Sequence, residues 1–110
     1  MANTIMYKRI GLVQRKKSLT REQFEAHWLS THAELCKKLP GMRRYAVNLI
    51  EPGRFPHFPY DGFSELWFDS QADCEAAFKS PEGVRLLADL KNYVESVDAV
   101  FIEEHQIIWP

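Results

Sequence analysis

The sequence predicts an α+β fold of ferredoxin-like type, βαββαβ, with four strands in one antiparallel sheet and the helices on a single face. Three observations lead there. Runs of β-branched and aromatic residues recur in four places. A strongly capped helical segment separates the first run from the second, and a second helical segment opened by Ser80-Pro81 separates the third from the fourth.

Residues 5–14 carry Ile5, Met6, Tyr7, Ile10, Leu12 and Val13, with no room for a helix before the basic turn Arg15-Lys16-Lys17, so they form the first strand. Thr20 caps the next element with Gln23 as its capping-box partner, and Leu19 meets Phe24 as a hydrophobic staple. Phe24, Trp28, Leu35 and Leu39 then fall on one helical face, and Pro40-Gly41 ends the helix. Residues 42–50 read as the second strand, residues 51–61 with three prolines and Gly53 as a long loop, and residues 62–68 as the third strand. Asp69 or Ser70 caps a short helix through Phe78, and Pro81 restarts helix at the position that tolerates it. Val84, Leu87, Leu90 and Val94 are the expected core face of that segment, and residues 99–109 the fourth strand.

The strands carry apolar side chains on both faces. Phe63 and Trp67 oppose Leu66 and Phe68, while Phe101, Ile107 and Trp109 oppose Val100, Ile102 and Ile108. A sheet covered by helices on one side needs a second cover for the other, and an identical subunit supplies it, so a homodimer with sheets face to face is expected.

The 110 residues suit one domain, 1–110, with 45% apolar residues and a net charge of -1. The basic clusters Arg15-Lys16-Lys17, Lys37-Lys38 and Arg43-Arg44 are short, which argues against nucleic acid as a partner. No signal-peptide pattern opens the chain and no run is long enough to span a membrane, so a cytoplasmic protein is expected. Cys36 and Cys74 lack metal or redox spacing and read as free thiols on helix flanks.

The ordered set Glu22-Gln23-Phe24, Trp28, Thr31-His32, Leu35, Pro40-Gly41, Tyr45, Tyr60-Asp61-Gly62, Glu65-Leu66-Trp67-Phe68 and Phe101 with Glu103-Glu104 resembles the EthD family of dimeric α+β barrel proteins. The resemblance spans almost the whole chain. It implies a homodimer of ferredoxin-like subunits, no metal in most members, and a pocket between helices and sheet in each subunit. Members are similar to bacterial proteins of ether and aromatic catabolism, to methylmuconolactone isomerising enzymes and, more distantly, to polyketide cyclases. The methylisomerase branch carries a helix histidine, a tyrosine after Pro-Gly and a cysteine just after the strand glutamate. His32 and Tyr45 match the first two, while Leu66 stands at the third, which counts against that lactone chemistry.

His32, four residues after Trp28 at the edge of the buried helical face, can exchange a proton with a ligand near neutrality or can simply bond a loop carbonyl. Glu65 shares a strand face with Phe63 and Trp67 and is a candidate acid or base; the alternative is an ion pair with Arg43 or Arg44. Tyr45 can orient or protonate an oxygen, or be core. Asn48 can read a carbonyl or tie a strand end, and Trp28 and Trp67 are the expected pocket walls. His27, His57 and His105 form no pair at ligand spacing, so zinc is disfavoured. With no glycine-rich phosphate loop and no Gly-x-Ser-x-Gly elbow, nucleotide cofactors and serine hydrolysis are disfavoured too. The loop at 51–61, with Phe55, Phe58 and Tyr60, is a candidate lid.

The leading expectation is a cofactor-independent protein of small-molecule catabolism that binds a hydrophobic or aromatic metabolite and moves protons on it, as an isomerase, cyclase or dehydratase does. One alternative is a non-catalytic accessory protein that holds such a ligand for a partner oxygenase or other enzyme. Another is haem binding through His32, or monooxygenase-type chemistry, by analogy of fold.

Overall fold

The computed structural model describes residues 5–110. Residues 1–4, with most of the segment in which no signal peptide is read, lie outside the described residues. The elements are β1 (Ile5–Arg15), α1 (Arg21–His27), a π-helical turn (Trp28–His32), α2 (Ala33–Cys36), β2 (Arg44–Leu49), β3 (Gly62–Phe68), α3 (Gln71–Lys79), α4 (Pro81–Asp89), a 3-10 turn (Leu90–Asn92) and β4 (Val94–His105). The strands form one sheet in the order β2-β3-β1-β4, with every pair antiparallel. This is the ferredoxin-like arrangement that the element order predicts. No helix among the described residues is long and apolar enough to cross a membrane.

Register sorts the side chains. Tyr7 lies opposite Phe68, Arg9 opposite Leu66 and Val13 opposite Gly62, while Tyr45 lies opposite Leu66 on the other flank of β3. These residues share the helix-covered face. One core there joins Cys36, Leu39, Leu66, Phe68, Cys74, Ala77 and Leu86; a second joins Val13, Phe24, Trp28, Tyr93 and Val94. Both cysteines are free but sit inside the core rather than on helix flanks.

The start of α1 is as expected. Thr20 accepts from the Gln23 amide at 3.1 Å, and the Gln23 side chain accepts from the Thr20 amide at 2.9 Å. The helix is not uniform, however, because the turn from Trp28 to His32 is wound as a π-helix. An extra residue in one turn brings positions five apart onto one face.

The second helical segment is phased differently from expectation. Val84 and Leu87 are exposed, and Leu86, Asp89 and Tyr93 are buried instead. The cause lies at the elbow between α3 and α4. A side chain on Gly83 would come within 2.4 Å of the Ala77 carbonyl oxygen and 2.6 Å of the Phe78 backbone, so α4 packs its Gly83 face onto the end of α3. That contact turns Leu86 and Asp89, three and six residues on, toward the sheet.

β4 also starts earlier and ends earlier than residues 99–109. Val94 begins the strand rather than completing a helix, because Tyr93 has left helical dihedrals at φ -140°. Long β1 then pairs with it as far as Ile5 and His105. Beyond His105 the chain leaves the sheet, and the Trp109 ring packs on the Arg44 guanidinium, 4.7 Å away, on the opposite edge strand.

The helix-free face displays Ile10, Leu12, Phe63, Trp67, Val100 and Ile102, so the apolar character of both faces holds. It also carries a polar cluster. Lys8 Nζ lies 2.9 Å from both Glu65 and Glu104, Asn48 donates to Glu65 at 2.8 Å, and the Trp67 indole donates to Glu104 at 2.9 Å.

Candidate functional site

The π turn, the end of α4 and the middle of β1 and β3 enclose a small chamber on the helix-covered face. Its walls include Arg9, Gly11, Trp28, His32, Ser64, Phe78, Leu86 and Tyr93, and its free volume is about 30 Å³, room for a group the size of one or two water molecules. An outer pocket of about 310 Å³ adjoins it, lined by Cys74, Glu75, Lys79, Ala99 and Phe101 and sharing Arg9, Phe78 and Leu87 with it. Those three side chains form the partition.

His32 is buried at the chamber wall. Its Nδ1 lies 2.9 Å from Asp89 Oδ2, and Asp89 is itself buried. A carboxylate only accepts, so Nδ1 carries the hydrogen and the lone pair sits on Nε2, which has no protein partner among the described residues. His27 Nε2 also reaches Asp89, at 2.9 Å, and the Asn92 amide donates to it at 2.8 Å. The π turn explains this convergence. His27 and His32 are five residues apart, a spacing that an α-helix splays by about 140° and a π turn stacks. Tyr93 packs its ring against both imidazoles, at 5.0 and 4.7 Å between centroids.

Burial pushes the His32 imidazole below its ordinary value, outweighing the bond from Asp89 that pulls it up, so the ring is neutral at pH 7. Asp89 goes the other way. Burial favours its acid form, but the bonds from Asn92, His27 and His32 prevail and hold the carboxyl low. A neutral imidazole whose far nitrogen is fixed by a buried carboxylate is the arrangement of an oriented general base.

The six residues singled out from the sequence divide between the two sides of the sheet. Trp28 and His32 meet at the chamber. Tyr45 is on the same side but behind it, in the core beside Cys36, with its hydroxyl enclosed and without a hydrogen-bond partner among the described residues. Burial, with the neighbouring Cys36, pushes that phenol well above its ordinary value. Glu65, Asn48 and Trp67 are on the opposite face, in the cluster around Lys8. Because Tyr45 pairs with Leu66, strand alternation turns the adjacent Glu65 and Trp67 away, and Asn48, opposite Phe63, goes with them. The expectation of one pocket shared by Glu65, Asn48, Trp67 and His32 is therefore corrected. The partner of Glu65 is Lys8 rather than Arg43 or Arg44; Arg43 instead holds Asp69.

The loop at 51–61 does not line the chamber either. Tyr60 donates to Asp98 at 2.5 Å, Gln14 holds the Pro59 carbonyl, and Phe55, Phe58 and Tyr60 line a recess of their own with Arg21. Haem has no room at His32, since about 30 Å³ bounded by Trp28, Phe78, Leu86 and Tyr93 admits no macrocycle.

Sequence reasoning missed Asp89, Arg9, Ser64, Tyr93 and the pairing of His27 with His32. For Asp89 the available signal was an acid one helical turn from Leu86 and Tyr93, on the face that the structure buries.

The fold and the sequence have known relatives. A curated relative, the uncharacterized 11.0 kDa protein in the thcB-thcC intergenic region of Rhodococcus erythropolis, is 30% identical over 87 residues, covering 77% of this chain and 84% of the relative. The crystal structure of an ethyl tert-butyl ether d (ethd) family protein from Bacillus halodurans superposes with a TM-score of 0.79 at 24% identity, covering 90% of this chain and 98% of that one. A dimeric protein of unknown function and ferredoxin-like fold from Bacteroides fragilis superposes with a TM-score of 0.69 at 23% identity, covering 90% and 96%. The model of the EthD domain matches residues 16–96, from the turn after β1 to the start of β4 and so through every helix of the chamber, and the chain belongs to the EthD family.

Proposed function

We propose that the protein is an EthD-type, cofactor-independent catalyst of proton transfer on a small hydrophobic or aromatic metabolite, with His32 as the general base. The observation that carries this reading is the buried bond of 2.9 Å from His32 Nδ1 to Asp89, which leaves Nε2 as the free acceptor of a ring that lines the chamber. In the step envisaged, Nε2 takes a proton from a carbon next to a carbonyl, and the electron pair of the broken C–H bond moves onto the carbonyl oxygen. The imidazolium so formed is held by Asp89 and returns its proton to the same or another atom of the ligand, which completes an exchange or an isomerisation. Trp28 and Tyr93 keep bulk water from the ring, and Asp89 and Tyr93 are positioning residues. Tyr45, outside the chamber, is given no step.

The same reading assigns the helix-free face to a homodimer. Its apolar residues surround a cluster in which Lys8, Glu65, Glu104, Asn48 and Trp67 satisfy one another, so a second sheet can cover it without stranding a charge. The dimeric state of the Bacteroides fragilis structure supports this use of the fold.

The test is deuterium exchange at acidic carbon positions. A panel of aromatic ketones and lactones, 2-indanone among them, is incubated in D2O with the protein and followed by proton NMR. Exchange above the buffer rate by the wild type, and at the buffer rate by His32→Ala, is the expected result. Equal rates for the two proteins across the panel overturn the reading.

A further inference from the structure

Among the described residues, Arg9 is the one charged side chain on the chamber wall that is left without an opposite charge. It rises from the middle of β1 on the helix-covered face, half-buried, and makes no ion pair or side-chain hydrogen bond with any described residue. Its guanidinium lies over Phe78, 4.4 Å from the ring centre, which fixes its direction without neutralising it. The acidic groups that face the region are Asp89 and Glu75. Asp89 is taken by His27, His32 and Asn92, and Glu75 accepts from Gln71 at the outer rim beside Lys79. Burial presses the guanidinium down from its ordinary value, and an arginine side chain stays charged in proteins.

A cation taken partly out of water and left unpaired is unfavourable unless something pairs with it. The chamber provides the place. A Cβ on Gly11 would crowd Ser64 Oγ at 2.9 Å and Arg9 Nη1 at 3.3 Å, so these two donors converge above the bare Gly11 backbone, where any side chain would force them aside. Ser64 Oγ, like Arg9, has no side-chain partner among the described residues, and Gly11 is not at a positive φ, so its missing side chain serves space rather than backbone conformation.

We propose that the ligand carries an anionic oxygen, a carboxylate or an equally acidic group on a flat apolar body, and that Arg9 and Ser64 bind this oxygen over Gly11. This deepens the reading of the chamber as the ligand site and rests on it. The volumes agree with such a molecule. The inner chamber of about 30 Å³ admits the oxygen, and the outer pocket of about 310 Å³, walled by Phe78, Leu87, Ala99 and Phe101, admits the apolar body. Arg9 stands at the junction of the two.

The experiment is titration calorimetry of the full chain with 2-naphthoate and with its neutral counterpart 2-naphthamide. Wild type binds naphthoate about tenfold or more tightly than naphthamide, the gain from a charge-assisted hydrogen bond in a half-enclosed site. Arg9→Met removes that preference. Gly11→Ala, whose Cβ pushes Ser64 Oγ and Arg9 Nη1 out of place, weakens naphthoate at least fivefold, while Lys38→Met, on an exposed lysine outside both pockets, changes it less than twofold. Near-UV circular dichroism confirms that each variant is folded. The inference is overturned if Arg9→Met binds naphthoate within twofold of wild type, if the preference for the acid survives Arg9→Met but is lost in Lys79→Met, or if wild type does not distinguish the acid from the amide. Failure of the proton-exchange assay with this pattern of binding intact removes the catalytic reading alone; loss of the Arg9 pattern with exchange intact removes the anion alone.

Discussion

Asp89→Ala removes the acceptor on which three side chains depend, and its cost can be built up bond by bond. His32 is the largest contribution. Its Nδ1 hydrogen, 2.9 Å from the carboxylate and buried, would lose a charge-assisted bond worth about 1.5–3 kcal/mol. His27 and Asn92 lose bonds of 2.9 and 2.8 Å, but both are accessible enough to turn to water, so about 0.5 kcal/mol each is a reasonable charge. Relief of the buried carboxylate offsets part of this. A net loss of about 2–3 kcal/mol follows, roughly 10 °C in Tm for a chain of this size. A second effect is chemical. Without Asp89 the imidazole no longer has its hydrogen fixed on Nδ1, and the imidazolium is no longer stabilised, so proton exchange should fall by about 10²–10⁴-fold. Urea unfolding measures the first, and nitrogen-15 NMR of the His32 ring together with the exchange assay measures the second. If Asp89→Ala stays within 0.5 kcal/mol of wild type and its His32 ring keeps the Nδ1–H tautomer, the dyad does not hold His32 as argued.

Other consequences are open to simple measurement. Because His32 is held below its ordinary pKa, the unfolded chain takes up a proton before the folded one as pH falls. The stability that the neutral ring contributes is thus complete above about pH 6.5 and is lost as pH falls through the lower folded value. Urea midpoints from pH 7.5 to 5 should show that decline, and His32→Gln should flatten it; an unchanged slope refutes the assignment. Val100, exposed on the helix-free face, lies in the proposed dimer interface, so Val100→Lys should give a monomer in sedimentation velocity at micromolar concentration where wild type is a dimer. Cys36, buried beside Tyr45, has its thiol pushed up to about 12 by burial, so a disulfide reagent at pH 8 should label it only at the rate of unfolding.

Much of this architecture is legible in the sequence, and the parts that are not share a cause. Thr20 with Gln23, Ser80 before Pro81 and the runs of strand residues are local signals, each decided within a few residues, and each recurs in the structure. The site is set by relations between elements. Tyr45 and Glu65 look equally suited to a pocket until the β2–β3 register puts Tyr45 opposite Leu66 and so sends Glu65 through to the other face. His27 looks like a flank residue because a regular helix separates positions 27 and 32, and only the π turn unites them on Asp89. Asp89 itself reads as solvent-facing, since an acid in a helix usually is. The contact of Gly83 with the end of α3 rotates it inward.

Lys8 and Arg9 state the division of labour in this sheet most plainly, because adjacent strand residues put two cations on opposite faces. Lys8 is satisfied, with Glu65 and Glu104 each at 2.9 Å and the Trp67 ring beneath it. Arg9 has no opposite charge among the described residues and lines the chamber instead. A paired, largely buried cation holds its surroundings together, while an unpaired one weakens the free protein and strengthens a complex. The two should therefore respond to the same substitution in opposite ways. Lys8→Met strands two neighbouring carboxylates and should cost about 2–3 kcal/mol in urea unfolding. Arg9→Met discards an uncompensated charge and should leave stability unchanged or raise it, at the expense of anion affinity. A loss at Arg9 equal to that at Lys8 would mean that the guanidinium is a structural tie, and the chamber would then have no reason to prefer an acid.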